Sequence, residues 1–247
     1  MVIIKNNPNK MINLIEKSLW RWETDGGNVA YMNQTWASVF DSGLTVFQDG
    51  VINCYVKQGQ FQGWDRDANW NVQWHTVPYA IGHMISKEQY GNGTYTLKCR
   101  IPNWRGSWPA FWFVDWLDQK SGGMGMPPEI DVFEHFQKDK CLSRFHITCT
   151  YNDGPTYEDN YAVDNTYCRL YPMDWCDFTI KLIRSDNQLL YVVNNKTVLT
   201  VNKSDMKHFP YKGMNIMIGA QVQNFQGKPA LVKDDPFIIK TFTFESA

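Results

Sequence analysis

The sequence contains no apolar run near the ~20 residues that cross a bilayer as a helix, so no membrane partner is expected. Neither sign of charge is in excess: 24 Lys+Arg stand against 25 Asp+Glu. Without a basic stripe, nucleic acid drops out as a partner too. None of the 6 cysteines forms a C-x-x-C pair, which removes the usual redox and zinc motifs. A domain of this size needs no bridges, and mostly free thiols are expected. The glycines of Gly122-Gly123-Met124-Gly125 precede no Gly-Lys-Ser/Thr and so form no phosphate loop. The start, Met1-Val2-Ile3-Ile4-Lys5-Asn6, lacks a basic segment followed by a long apolar core and does not read as a signal peptide.

Aromatic side chains, by contrast, are abundant: 11 Trp, 12 Tyr and 14 Phe. Most suit a core, but flat rings also stack on pyranose faces. No composition shift divides the 247 residues, and one large all-β domain over 1–247 is expected, with 1–20 as a lead-in. Within that lead-in Ile12, Ile15 and Leu19 have helical spacing; the alternative is a segment that simply crosses the sandwich. Runs 44–47 and 51–56 flank Asp49-Gly50 and predict a hairpin. Further strands are predicted over 79–86, 93–101, 142–150, 178–183, 189–193, 198–201 and 214–224. Residues 21–43, 58–76 and 151–177 are rich in polar, glycyl and Trp residues and read as loops.

The densest chemistry lies in Glu129-Ile130-Asp131-Val132-Phe133-Glu134-His135, after Pro127 and Pro128. Prolines cannot donate to a ladder, so the strand begins after them. Alternation puts Glu129 and Asp131 on one face and Ile130 and Val132 in the core. Continued strictly, it would expose Phe133 and bury Glu134. A β-bulge near Val132 or Phe133 reverses this and sets three acids on one face. A retaining glycosidase uses two carboxyl groups roughly 5–5.5 Å apart, one as nucleophile and one as acid, then base. Across such a bulge the Glu129 and Glu134 Cα atoms lie roughly 13 Å apart. Glutamates leaning together on a curved strand close much of that gap. Asp131, between them, can share a proton with the nucleophile and help keep the acid protonated. The alternative is a solvated acidic face, which repulsion between neighbouring carboxylates and the apolar flanks disfavour. No metal site is expected, because matching His or Cys ligands are missing.

Glu-Ile-Asp-Val-Phe-Glu resembles the E-x-D-x-x-E signature of family 16 glycoside hydrolases. Upstream, Gly106-Ser107-Trp108-Pro109-Ala110-Phe111-Trp112 is similar to that family's G-x-W-P-A-F-W stretch. Segments 79–87 and 95–100 resemble further family strands. The resemblance implies a jelly-roll β-sandwich of two antiparallel sheets with a concave cleft. It makes Glu129 the nucleophile, Asp131 its support and Glu134 the acid/base. It also places Trp108 and Trp112, flanked by Trp104, on the cleft side, with Phe111 and Phe113 in the core. The strand after the acids often presents a His in this family, which makes His146 a candidate for substrate or Asp131 contact. Gln221 and Gln223, on a strand that lines the cleft, are candidate sugar hydrogen-bonders. Many members hold calcium near an acid in the closing strand. Ile239 or Lys240 stands there, so structural calcium is doubtful and no cofactor is expected.

The expected function is endo-acting, retaining hydrolysis of a β-linked polysaccharide, either β-1,3-glucan or a β-galactan, by a monomer. A non-catalytic, lectin-like sandwich is the rival, and transglycosylation by the same residues is a third reading. Such a substrate implies an extracellular or virion-associated location, reached without a signal peptide in this chain.

Overall fold

The computed structural model describes residues 11–21, 38–66, 71–102, 104–114, 129–139, 142–150, 177–205, 209, 213–223, 228–231 and 234–247. In chain order the strands are β1 (Met11–Asn13), β2 (Trp20–Arg21), β3 (Ser38–Phe40), β4 (Thr45–Gln48), β5 (Val51–Cys54) and β6 (Val56–Arg66). There follow β7 (Val72–Ile81), β8 (His83–Tyr90), β9 (Gly93–Arg100), β10 (Ala110–Val114), β11 (Glu129–Asp139) and β12 (Leu142–Thr150). The last are β13 (Asp177–Arg184), β14 (Gln188–Val193), β15 (Lys196–Asn202), β16 (Met214–Gly219) and β17 (Phe237–Ser246).

An eight-stranded antiparallel sheet runs β15-β14-β13-β9-β17-β5-β4, with β1 on β17. A six-stranded antiparallel sheet runs β12-β11-β10-β16-β8-β2. The first sheet alternates buried and open residues along β9, β14 and β17, as a one-faced strand should. Central β16 is buried throughout. The two sheets meet through aromatic rings: Phe111 on Phe242 at 5.0 Å, Tyr95 on Phe113 at 4.8 Å and Phe133 on Phe237 at 6.1 Å. Each fully buried ring contributes roughly 1.5–3 kcal/mol of apolar transfer. This is the expected jelly-roll β-sandwich. Cys54 and Cys99 are buried within it and form no disulfide. Among the described residues no helix is long and apolar enough to cross a membrane.

The Asp49-Gly50 hairpin forms as expected, both residues having positive φ (52° and 74°). Residues 11–21 form no α-helix: β1 pairs with β17, and β2 with β8, so the segment is the lead-in across the sandwich, the second of its two readings. Two expectations change. Residues 58–66 and 72–76 are strand, not loop. β6 and β7 pair from Val56↔Ile81 out to Arg66↔Val72, and β3 adds in parallel to β7. Gln58, Gly59, Gln60 and Gln62 are exposed along this ribbon. The ribbon's apolar residues, Phe61 and Val77 among them, pack with Val39 and Ala80, but the exposed polar run between Lys57 and Phe61 carries no alternation to read. Finally, 79–86 is two strands divided at Gly82. A Cβ there would lie 2.3 Å from the Leu44 carbonyl oxygen, so only glycine lets the chain pass from the ribbon into the six-stranded sheet.

Candidate active site

The ladder between β10 and β11 runs Val114↔Glu129, Phe113↔Ile130 and Trp112↔Asp131, then breaks and resumes at Phe111↔Phe133 and Ala110↔Glu134. Val132 is the surplus residue. The same step appears against β12, between Asp131↔Thr148 and Glu134↔His146. Ile130, Val132 and Phe133 all enter the main core. Glu129, Asp131 and Glu134 are half-buried on the opposite face. A regular strand would have buried one of the glutamates, and the bulge prevents it.

Burial acts on both glutamates. Burial, opposed by a hydrogen bond with Asp131, raises the Glu129 pKa. Burial also raises Glu134, to about 7, with the Glu129 charge adding to the effect. The indole Nε1 of Trp108 donates to Glu134 Oε1 at 2.9 Å and acts the other way. Glu134 thus holds its proton up to near neutral pH, and Glu129 beside it shares a hydrogen bond with Asp131.

Trp108 is buried, and its role changes: it holds the acid rather than offering a free stacking face. Its backbone N–H donates to the Gln221 carbonyl at 2.9 Å, which fixes the ring beside Glu134. Trp104 is only 3% exposed and packs with Tyr79, Ile81 and Val222. That places it in a small core cluster, not at a sugar-facing surface. Trp112 is half-buried and touches Ile85, Val114 and Met217 on the carboxylate face. The ladder sets His146 opposite Glu134. Gln221 and Gln223 lie on the extension of β16, bonded through their backbones to Trp108 and Gly106, and both side chains are buried. Among the described residues no cluster of His, Cys, Asp or Glu is arranged to hold a metal.

The Trp108 bond yields a measurable expectation. It favours the ionised form of Glu134, so Trp108→Phe should raise that pKa. A hydrogen bond to a charged group is worth roughly 1.5–3 kcal/mol, or about one to two pH units. The alkaline limb of kcat/KM should move up by that amount, read from a pH–rate profile. A limb that stays put or moves down would remove Trp108 from contact with the acid.

A β-sandwich with paired carboxylates on one sheet face is the arrangement of a glycoside hydrolase. The sequence profile of glycosyl hydrolases family 16 matches residues 20–228, and the chain belongs to that family. A β-glucanase of Rhodothermus marinus is 29% identical over 155 residues, 57% of this chain and 52% of that protein. The match thus spans about half the length of that relative. Among solved structures, the laminarinase catalytic domain of Thermotoga maritima superposes with a TM-score of 0.67 at 15% identity, covering 95% of this chain and 94% of that one. An endo-acting O-glycanase of human gut microbiota gives 0.70 at 16% identity, over 98% and 87%. At such identities these two structures establish the fold alone.

Proposed function

We propose that the chain is an endo-acting, retaining hydrolase of a β-linked polysaccharide, with a β-glucan as the first substrate to test. The observation that carries this reading is the bulge at Val132, which sets Glu129 and Glu134 on one face, where burial raises the Glu134 pKa to about 7. Glu129 attacks the anomeric carbon while Glu134 gives its proton to the departing glycosidic oxygen. Glu134, now a base, takes a proton from water, which displaces Glu129 and releases the sugar with its original configuration. Asp131 holds Glu129 by the hydrogen bond they share. The scheme uses no cofactor. Trp112, half-buried beside Asp131 in the ladder, offers its ring to a sugar face.

Similarity to a β-glucanase supports the glucan, and the family's breadth keeps galactans in the panel. Reducing-end release is to be measured on β-1,3-glucan, mixed-linkage β-glucan, agar, porphyran and mucin-type galactan, with the anomer of the first product read by NMR. Release of the β-anomer is expected. Binding without release would favour the lectin-like reading, and an inverted product would exclude the double displacement.

A further inference from the structure

One row across the six-stranded sheet runs Glu134↔Ala110↔Gly219↔His83. Residues directly opposite in a ladder share a face, so His83 lies on the carboxylate side of the sheet. A ring contact supports this independently: the imidazole is 5.2 Å from Trp112, the ladder partner of Asp131. Phe40 stacks on its other side at 4.3 Å. Between Glu134 and His83 in that row stand only Ala110 and Gly219, a methyl group and bare backbone, both buried. With ~4.8 Å between neighbouring strands, the Cα atoms of Glu134 and His83 are about 14 Å apart.

His83 is 2% exposed, and among the described residues neither of its ring nitrogens has a hydrogen-bond partner. Gln221, two residues beyond Gly219 on the same face, is 3% exposed, and its Oε1 is unpartnered as well. Buried polar groups are almost always satisfied, and those that are not call for an explanation. Two such groups on one sheet face, in line with the acid, share a single explanation if a ligand completes them. Burial pushes the His83 pKa down to about 3, so the ring is neutral and can both accept and donate.

We propose that His83 and Gln221 form a hydroxyl-binding subsite for the sugar neighbouring the bond that Glu134 protonates, on the β16–β8 side, and that they set specificity there. This rests on the hydrolase reading above. One imidazole nitrogen accepts a sugar O–H and the other donates to a sugar oxygen, while Gln221 Oε1 accepts a second hydroxyl. Phe40 and Trp112, both half-buried, flank the ring, and their rotation admits the sugar edge. Nothing recommends an unpaired imidazole here for packing alone: an apolar ring would fill the slot without stranding two nitrogens.

The test uses the full chain carrying Glu129→Gln, so that saccharides bind without turnover. Oligosaccharide affinity is measured by calorimetry before and after adding His83→Phe or Gln221→Met. Each is expected to weaken binding roughly tenfold with Tm unchanged or higher, because no protein hydrogen bond is lost. His83→Gln, which restores a donor and an acceptor, should recover part of the loss. Unchanged affinity in both variants overturns the subsite, as does weaker binding that only tracks a fall in Tm. In either case turnover by the unsubstituted chain still supports the hydrolase. If the unsubstituted chain shows no turnover and the Glu129→Gln chain binds no saccharide, both readings fall together.

Discussion

Glu129→Ala is expected to lower polysaccharide hydrolysis by on the order of 10⁴-fold or more, since it removes the covalent route and leaves only binding and acid assistance. Glu134→Gln, which keeps the shape but loses the proton, is expected to cost roughly 10²–10⁴-fold. The two losses should not add, because the residues act as a unit. Both are read as initial rates of reducing-end release, with circular dichroism to show that the fold persists. An active double variant would end the assignment. The pH dependence follows from the same site. Glu134 must carry its proton, so activity should fall as pH rises through about 7. Stability should move in the same direction. A carboxyl group whose folded pKa lies above its unfolded value binds more protons folded than unfolded. Its destabilising effect therefore grows between the unfolded value of 4.5 and about 7. A shift of this size corresponds to up to about 3 kcal/mol at alkaline pH. Glu134→Gln should thus be inactive yet more heat-stable than the native chain above pH 7, and Tm against pH for both proteins checks it. Equal Tm values at every pH would mean that Glu134 is not strained when ionised.

Counting residues between the acids was enough to locate the bulge. Ile130, Val132 and Phe133 needed the core, three carboxylates needed the other side, and an irregularity at Val132 or Phe133 satisfies both. Its electrostatic consequence was legible for the same reason, since carboxylates on adjacent same-face positions cannot all ionise freely. Which Trp does what was not legible. Trp104, Trp108 and Trp112 look equivalent as letters, yet one is core, one holds the acid and one is half-open. That distinction depends on packing between β10, β16 and the segment leading into β17. His83 was hidden by range. It occupies a spacer position in 79–87, and only a register carried through three ladders sets it in line with Glu134. The β6–β7 ribbon was hidden by the exposed run Gln58, Gly59, Gln60 and Gln62, which interrupts the period a strand otherwise shows.

Phe133→Ala should reveal how far the acid's position depends on the ring beneath it. Phe133 is wholly buried, faces Phe237 at 6.1 Å and immediately precedes Glu134. Truncating a buried Phe costs roughly 3–5 kcal/mol through lost transfer energy and the cavity left behind. In a chain of this size that lowers Tm by roughly 10 °C. The rate should fall as well, because the ring anchors the inward half of the bulge. Deleting Val132 tests the geometry in the opposite sense. The shortened run Glu-Ile-Asp-Phe-Glu alternates without a bulge, so Glu134 remains opposite Ala110 and Phe133 still packs beside Phe111. That variant should lose the burial of one valine, roughly 1.5–3 kcal/mol, but keep measurable hydrolysis. Thermal melts and initial rates on both variants separate the two effects. If the deletion variant folds yet hydrolyses nothing while Phe133→Ala keeps its full rate, then facing the same side is not what makes these glutamates competent, and the bulge has some other use.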